Sequence, residues 1–316
     1  MIKDKILIIG TLPETSGIGG VTIHIKRLLE WLKSEGMGFE FVDYRSSSLI
    51  CHLKAIWRYR LLHLHISNPF FRLLYILVAR CFWTRVIMTL HGNLGRHSRF
   101  GNFIDRLTIR FCTVPILLNE ESYNKALRIN KKAELISAFL PPDDNGFLPD
   151  WVKDRIRDLK SSGMELYATN ASTRSFTSDG REIYGIDFLT GFFKSLDNKI
   201  LIISDPSGKY SQFYNQKELF FIIGNHSFFE LLKLVDAFIR DTATDGDSLS
   251  VREALYLGVP VLATDVVPRP RGVIEFKYND SSSLEIAISK IKNYPKSFVK
   301  DNPIGEIVRT YKKYMS

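Results

Sequence analysis

The stretch Ala237–Phe276, AFIRDTATDGDSLSVREALYLGVPVLATDVVPRPRGVIEF, alternates between apolar runs and polar loops in a way that decides the fold. Its first four residues form an apolar run that predicts a buried strand, and Val259–Thr264 predicts a second strand. Between them, apolar residues recur at helical spacing over 249–257, and Gly258 followed by Pro260 predicts the end of that helix. A strand, a loop, a helix and a second strand make a parallel crossover unit, which is typical of an α/β fold.

The polar loop of this unit, Asp241–Ser248, is predicted to lie where ligands bind. Parallel α/β sheets bind their ligands outside the carboxyl ends of the strands, and the free N–H groups of a helix N-terminus attract anions. Either Ser248 or Ser250 can cap the helix, and Glu253 follows Ser250 at the spacing of a capping box. We therefore expect this loop and helix start to face a ligand.

These residues resemble a motif of the GT-B glycosyltransferases. Asp245 and Glu253 are eight positions apart, as are the two glutamates of the Glu-x7-Glu motif. That motif is typical of the large retaining group of these enzymes, so the chain resembles glycosyltransferase family 4. Arg252–Asp265, REALYLGVPVLATD, is similar to the Ala-x-x-x-Gly-x-Pro-Val segment that follows it, although the first acidic residue is aspartate where glutamate is usual. The resemblance implies two Rossmann-like, doubly wound α/β domains that face each other across a cleft.

The resemblance also implies roles for individual residues. Glu253 would hold the ribose hydroxyls of a nucleotide-sugar, and Asp245 would face the donor sugar as a catalytic residue. Basic residues after the first strand of the second domain would steady the departing diphosphate, for which Arg174 and Arg181 are the candidates. The backbone amides that would face the phosphates belong to Gly246, Asp247, Ser248 and Leu249. The alternative is that Asp245 and Glu253 are solvated charges at the start of an ordinary crossover helix.

A second candidate loop follows the first predicted strand, Lys5–Gly10. The dinucleotide fingerprint Gly-x-Gly-x-x-Gly is incomplete here, because after Gly17 and Gly19 the third position is Thr22. A dehydrogenase is therefore disfavoured. The placement of Gly19 and Gly20 just before a predicted helix resembles the Gly-Gly of the same glycosyltransferases, which implies donor binding, although a tight turn explains such glycines as well.

The first half continues as alternating strands and helices, which predicts a doubly wound parallel sheet. The further strands are predicted at Phe39–Tyr44, Leu61–Ser67, Arg85–Leu90 and Val114–Leu118. His91 directly follows the fourth strand, and in the resembled family a histidine at this place lies near the donor sugar, which implies a catalytic role. A structural role is the alternative, because His63 and His65 show that histidine is not rare in these strands.

The second half resumes the pattern after a Pro-Pro-Asp-Asp segment that predicts a linker. Its strands are predicted at Glu165–Asn170, Lys199–Ser204 and Glu218–Gly224. We expect an acceptor-side domain over residues 1–142 and a nucleotide-sugar-binding domain over 143–302. The resemblance implies that a terminal helix in 303–316 crosses back to the first domain.

The net charge of +9 is concentrated in the first half. Residues 1–142 contain 20 Lys and Arg against 10 Asp and Glu, whereas the remainder contains 23 against 24. Over Arg45–Arg110 there are 11 basic residues and one acidic residue, Asp105. Such a field attracts nucleic acid, anionic lipid or phosphorylated substrates. No nucleic-acid-binding motif is recognisable, so a nucleic-acid partner is not expected.

The segment Phe70–Trp83 predicts a helix with Arg72 and Arg80 as its charged positions. Its aromatic residues suit either a protein core or a membrane interface. No charge-free span approaches the roughly 20 residues that cross a bilayer, and no signal peptide is recognised. The odd number of cysteines, without the close pairing of a metal site or a disulfide scaffold, favours buried thiols in a reducing cytoplasm, and these are Cys51, Cys81 and Cys112.

These observations together predict a retaining glycosyltransferase, cytoplasmic and peripheral on the inner face of the membrane. It would move a sugar from a donor such as a UDP- or GDP-sugar to a lipid-linked glycan in bacterial surface polysaccharide biosynthesis. Asp245 and Asp247 have an Asp-x-Asp spacing, but the resemblance places them at the sugar, so neither a cofactor nor a metal site is expected and activity should be metal-independent. The alternatives are a nucleotide-sugar epimerase and a non-catalytic nucleotide-sugar-binding protein of the same fold.

Overall fold

The computed structural model describes residues 2–16, 19–46, 48–95, 97–142, 146–171, 173–214, 217–245, 247–295 and 303–315. The chain divides into two compact units, one of Met1–Asp143 with Asn302–Ser316 and one of Asp144–Asp301. Each unit is built around its own six-stranded parallel sheet with flanking helices, which confirms the predicted pair of doubly wound α/β domains. Over the described ranges, no helix is both long and apolar enough to cross a membrane.

The sheet of the first unit has the strand order β2-β1-β3-β4-β5-β6. Its strands are β1 (Ile2–Gly10), β2 (Phe39–Asp43), β3 (Tyr59–Leu64), β4 (Arg85–Leu90), β5 (Val114–Leu117) and β6 (Glu134–Leu135). Its helices before the linker are α1 (Pro13–Ser16), α2 (Gly20–Ser34), α3 (Leu49–Arg58), α4 (Pro69–Cys81), α5 (Arg99–Phe111) and α6 (Glu120–Leu127). Four of these helices start at side chains that accept an N–H of the first turn, namely Ser48, Asn68, Ser98 and Asn119.

Both faces of this sheet are buried. In β1, Leu7 and Ile9 contribute to the hydrophobic cluster on one face, whereas Ile6 and Ile8 contribute to the cluster on the other. A strand that is covered on both faces needs an unbroken apolar run rather than an alternating one. That requirement explains the sequence KILIIG.

The sheet of the second unit has the strand order β12-β11-β10-β7-β8-β9. Its strands are β7 (Glu165–Asn170), β8 (Lys199–Ser204), β9 (Leu219–Ile222), β10 (Ala237–Arg240), β11 (Val261–Thr264) and β12 (Val273–Phe276). Its helices are α7 (Asp150–Ser161), α8 (Ile186–Phe193), α9 (Phe228–Leu232), α10 (Leu249–Leu257) and α11 (Ser281–Ser289). Strand β12 was not predicted from the sequence: Phe276 is buried, Val273 and Ile274 are partly buried, and Glu275 is exposed.

The terminal helix α12 (Ile304–Met315) packs within the first unit. Ile307 and Tyr311 are buried in the cluster that covers one face of its sheet. Arg85, at the start of β4, donates a hydrogen bond from Nη1 to the carbonyl of Tyr314 at 2.8 Å. Helix α12 thus completes the hydrophobic core of the first unit.

Each sheet contains one place where the strand order reverses. In the first sheet β1 lies between β2 and β3, and in the second sheet β7 lies between β8 and β10. Connections leave such a pair of strands toward opposite sides, so a crevice opens at their carboxyl ends, which is where α/β sheets bind ligands. The relevant ends are Gly10 and Leu64 in the first unit, and Asn170 and Arg240 in the second.

Candidate functional site

Helix α10 starts at the carboxyl edge of the second sheet, directly after β10 and its polar loop. Ser248 is the N-cap residue, as one of the two alternatives predicted, but its side chain forms no capping hydrogen bond with a described residue. Ser250 lies inside the helix and accepts a hydrogen bond from Nδ2 of Asn170 at 2.9 Å. The predicted capping box of Ser250 and Glu253 is therefore wrong. Gly258 ends the helix as predicted, with the left-handed φ of 73° that favours glycine.

Asp245 lies between two arginines in the loop before α10. Nε and Nη2 of Arg240 lie 3.3 Å from its two carboxylate oxygens, and Nη1 of Arg269 lies 2.8 Å from Oδ2. Burial raises the pKa of this carboxyl group, but Arg240 and then Arg269 outweigh that effect and hold the pKa below its usual value. The group is therefore ionised, and the three side chains together carry one net positive charge.

Both arginines are held by further contacts. Nη1 of Arg240 lies 3.4 Å from Oδ1 of Asn170, at the end of β7, and its guanidinium lies 5.0 Å from the ring centre of Tyr184. Nε of Arg269 donates to the carbonyl of Thr264, at the end of β11, at 2.7 Å. The trio of Arg240, Asp245 and Arg269, called here the arginine pair site, thus connects three neighbouring strand ends at the reversal of strand order.

Neither arginine was recognised from the sequence as a candidate site residue. The sequence did contain an indication for Arg240, because it is the one charged residue in the strand AFIR and stands at the carboxyl end, where ligands bind. Arg269 reaches Asp245 from a loop 24 positions further along the chain, and no local pattern predicts that contact.

Four further predicted donor-binding residues lie in the loop before α10 or on the helix itself. Glu253 is only 5% exposed, and Asp247 pairs with Nε of Arg252 at 2.8 Å. The remaining predicted residues at this helix start are Ser248 and Leu249. Gly246 lies outside the described residues. Asp245 and Asp247 thus lie in the loop that precedes α10, and Glu253 lies within the helix.

Two more carboxyl groups of the second unit are buried. Asp241 directly follows β10, and its Oδ2 has no hydrogen-bond partner among the described residues. Burial raises the pKa of Asp241 to about 8, so this group is largely protonated at neutral pH. Burial also raises the pKa of Glu182, which accepts the N–H of Asp187 at 2.9 Å. Neither group was singled out from the sequence.

The two arginines predicted to hold the diphosphate have other partners. Nη2 of Arg174 lies 2.7 Å from Asp187, and its guanidinium stacks on the ring of Phe213 at 4.8 Å. Arg181 pairs with Asp179 at 2.8 Å, and both side chains are about half exposed. The positive charge that lies at the start of α10 belongs to Arg240 and Arg269 instead.

In the first unit, the predicted glycines lie at the start of α2. Gly19 is the N-cap residue, and its N–H donates to Oγ1 of Thr22 at 3.0 Å. A Cβ added at Gly19 or Gly20 would meet no atom of the described residues within 4 Å, so close packing does not require glycine at either position. Gly17 lies outside the described residues.

His91 directly follows β4 at the carboxyl edge of the first sheet, as predicted. Its Nε2 lies 2.9 Å from Nδ1 of His65, and its ring centre lies 5.1 Å from that of His24. His63, which packs 4.0 Å from His65, contacts Oγ1 of Thr89 through Nε2 at 2.8 Å. In the sequence, His63 and His65 favoured a structural role for His91, yet the fold brings these histidines together.

Comparisons with known proteins support the fold. No family model matches the chain, and no curated protein sequence is similar to it. Among solved structures, HepE of Anabaena in complex with UDP-glucose matches with a TM-score of 0.67 at 13% identity, covering 98% of each chain. The lipopolysaccharide outer core galactosyltransferase WaaB matches with a TM-score of 0.57 at 12% identity, covering 98% of this chain and 97% of its own.

A UDP-GlcNAc 2-epimerase from Methanocaldococcus jannaschii also matches, with a TM-score of 0.63 at 13% identity, covering 98% of this chain and 99% of its own. At such identities the likeness concerns the fold and not the activity. Both units take part in each of these three matches, because 98% of the chain is covered. The chain is therefore a two-domain α/β protein with the GT-B fold.

Proposed function

We propose that this protein is a retaining glycosyltransferase that moves a sugar from a nucleotide-sugar to a lipid-linked glycan. The observation that carries the proposal is the arginine pair site in the loop before α10. It combines net positive charge with a helix N-terminus at the place in the sheet where nucleotides bind, and the same helix carries the buried Glu253.

The chemistry of glycosyl transfer requires these groups. Breaking the bond between the sugar and the diphosphate develops positive charge at the anomeric carbon and negative charge on the leaving diphosphate. Fixed N–H groups and cations stabilise that negative charge in the transition state. Arg240 and Arg269 exceed Asp245 by one charge, and the first turn of α10 adds its N–H groups. Glu253 would accept hydrogen bonds from the ribose hydroxyls.

Two finer features of the reaction rest on the resemblance. Retention of the anomeric configuration is typical of the group with the Glu-x7-Glu motif, and comparing donor and product linkages by proton NMR tests it. The paired arginines can neutralise the diphosphate, so we propose that no divalent ion is needed there. Adding or omitting Mg²⁺ or Mn²⁺ should then leave the transfer rate unchanged.

Two of the solved structures with this fold support the proposed classes of donor and acceptor. HepE was solved with UDP-glucose, which supports a UDP-sugar donor, and WaaB acts on lipopolysaccharide outer core as its name states. We infer a role in bacterial surface polysaccharide biosynthesis, as O-antigen, capsule or exopolysaccharide. The acceptor would be a lipid-linked glycan and would bind on the first domain.

A cytoplasmic location, with the protein peripheral on the membrane, belongs to the same proposal. Helices α3, α4 and α5 expose large apolar side chains, among them Trp57, Phe71 and Phe103. The tilted rings of Phe70 on α4 and Phe100 on α5 lie 5.7 Å apart, so the exposed aromatic groups of these two helices meet there. Basic residues surround them in the sequence. Aromatic groups beside cationic ones suit the interface of an anionic membrane.

Donor binding is the most direct test. A thermal-shift series with UDP-glucose, other UDP-sugars and GDP-sugars should show one preferred class, since a ligand at 100 times its dissociation constant stabilises by about 2.7 kcal/mol. Glu253→Ala should weaken donor binding by more than about 100-fold, because two hydrogen bonds to a charged acceptor are lost. The control is Glu285→Ala, which removes an exposed carboxylate of α11. Equal donor affinity in parent and Glu253→Ala would refute the assigned site.

A nucleotide-sugar epimerase is the second candidate, because one such enzyme shares the fold over nearly the whole chain. A transferase releases free nucleotide in proportion to the acceptor that it glycosylates. An epimerase changes the sugar without an acceptor. A non-catalytic binding protein would retain donor binding without either change. Measuring nucleotide release and sugar epimerisation with and without a lipid-linked acceptor separates the three.

A further inference from the structure

Three histidines of the first unit surround one point at the carboxyl edge of its sheet. His24 lies on α2, His65 directly follows β3, and His91 directly follows β4. Their ring centres are 5.4 Å apart for His24 and His65, 5.1 Å for His24 and His91, and 5.2 Å for His65 and His91. The rings therefore form a nearly equilateral triangle, and one ring nitrogen of each lies within 4.8 Å of the others.

The hydrogen bonds of His24 determine which of its nitrogens is available. Nδ1 lies 2.7 Å from the carbonyl oxygen of Ala138, and a carbonyl can only accept, so Nδ1 carries the proton. The lone pair is therefore on Nε2, which is buried and has no hydrogen-bond partner among the described residues. A histidine whose other nitrogen donates to a backbone carbonyl is the usual form of a metal ligand.

The other two histidines face each other. Nδ1 of His65 and Nε2 of His91 are 2.9 Å apart, and Nε2 of His65 has no hydrogen-bond partner in the described part of the chain. A neutral imidazole binds a metal ion through the ring nitrogen that carries the lone pair.

The three rings are close enough to share one metal ion after a small adjustment. A zinc ion lies about 2.0–2.1 Å from each imidazole nitrogen, so tetrahedral coordination holds the ligating nitrogens about 3.4 Å apart, and one nitrogen of each ring lies within 4.8 Å of the others in this structure. His63 supports the arrangement without being a ligand, because its Nδ1 contacts Tyr311, its Nε2 contacts Thr89, and its ring packs on His65. The cluster thus has a ligand set and a supporting second layer.

We propose that His24, His65 and His91 bind one divalent transition-metal ion, with Zn²⁺ as the favoured ion. Three neutral ligands leave the full charge of the ion uncompensated, so the fourth position suits water, hydroxide or an anionic oxygen. That position is accessible from the side of His91, which is only partly buried. The proposal departs from the prediction that the protein has no metal site. All three proposed ligands lie in the first unit.

Metal content of the full-length protein tests this proposal. The chain is treated with a chelator, desalted, titrated with Zn²⁺ and assayed for bound metal by inductively coupled plasma mass spectrometry. We expect one equivalent per chain, and with Co²⁺ we expect the intense visible absorption of a low-symmetry, four-coordinate site. His91→Gln should weaken Zn²⁺ binding by more than about 100-fold, because one of three ligands is lost.

The control variant is His226→Gln, whose histidine lies in the second unit and contacts Ser204. It should bind Zn²⁺ like the parent. His24→Gln should behave as His91→Gln does, and circular dichroism shows whether each variant is folded. Since His91 is partly exposed, its replacement reports on binding even if the buried His24 variant fails to fold. Absence of stoichiometric binding by the parent, or Zn²⁺ retained undiminished by His91→Gln, would overturn the proposal.

Discussion

Asp245 is the residue on which the charge balance of the arginine pair site depends. Removing one member of a buried ion pair costs about 3–5 kcal/mol, because the remaining charge stays buried and uncompensated. Asp245→Asn keeps the shape but leaves Arg240 and Arg269 unneutralised, and both are largely buried. We therefore expect a loss of stability of the second unit of this order, measured by urea unfolding.

The matched control for this substitution is Asp179→Asn. Asp179 also pairs with an arginine, but that pair is exposed, so its loss should change stability little. From the sequence alone, Asp245→Asn is expected to reduce transfer less than Glu253→Ala does. A variant that unfolds like the parent yet no longer transfers sugar would instead assign Asp245 to direct contact with the donor.

The buried carboxyl group of Asp241 should make the free energy of unfolding fall as the pH rises. Its pKa is raised by burial to about 8 in the folded chain, against about 3.9 in an unfolded one. Between these values the folded state holds one proton more than the unfolded state. Its contribution to stability is therefore full at low pH and is lost as the pH rises, by up to about 1.4 kcal/mol per pH unit.

Asp241→Asn should abolish this slope, because an amide does not ionise. The measurement is the free energy of unfolding from pH 5 to pH 9 for parent and variant, at constant ionic strength. The two curves should converge at low pH and separate at high pH, with the variant more stable. Parallel curves would show that Asp241 is already ionised in the folded chain.

At the level of single residues, the sequence located the acidic members of the candidate site but not their partners. Asp245 and Glu253 were recognisable because a motif places them eight positions apart around one helix start. The contacts of Arg269 and of His24 with His91 arise only when distant segments meet, and such contacts leave no local pattern. The prediction of a capping box failed for a related reason. Asn170, at the end of β7, donates a hydrogen bond to the hydroxyl of Ser250, and no local pattern predicts that contact.

Among the elements, α4 shows what hydrophobic periodicity predicts and what it does not. The predicted helix Phe70–Trp83 is found as Pro69–Cys81. Periodicity did not reveal that Arg72 faces inward, where it is fully buried and forms an ion pair with Asp105 on α5. A further hydrogen bond runs from its Nη1 to the carbonyl of Ile66 at 3.0 Å. Arg72 is thus part of the core and not of the exposed basic surface.

The pair between α4 and α5 leads to a prediction for these elements. Asp105→Asn should destabilise the first unit by about 3–5 kcal/mol, since the guanidinium of Arg72 loses its buried counter-charge. Arg80→Ser on the exposed face of α4 should have a much smaller effect. Urea unfolding of the two variants makes the comparison. Equal effects would mean that the buried pair contributes nothing beyond an ordinary surface charge.

Over the whole molecule, the sequence predicted two parallel sheets because buried strands leave unbroken apolar runs. It missed β12, in which only Phe276 is buried, since a partly covered edge strand has no such run. The uneven charge was also visible in the sequence, but which basic residues are exposed was not. The structure leaves Arg58, Arg80, Arg106 and Arg110 exposed on α3, α4 and α5.

The last prediction concerns binding of the chain to anionic membranes through these three helices. Basic residues near an anionic surface contribute about 1 kcal/mol each, so replacing a set of four by Ser should weaken binding at least tenfold. That set is Arg58, Arg80, Arg106 and Arg110. The measurement is co-sedimentation with vesicles containing phosphatidylserine or only phosphatidylcholine. The charge-dependent part should fall in high salt, because exposed charges are screened within about 10 Å at 0.1 M.

The matched control removes the same number of exposed charges from α7 in the second unit. Its set is Lys153, Arg155, Arg157 and Lys160, which are all exposed. This variant should bind vesicles like the parent if the first unit carries the membrane surface. Binding that persists in high salt would come from exposed apolar groups such as Trp83, which is 87% exposed. Equal losses in the two variants would mean that only total charge matters, and the membrane proposal would then fail.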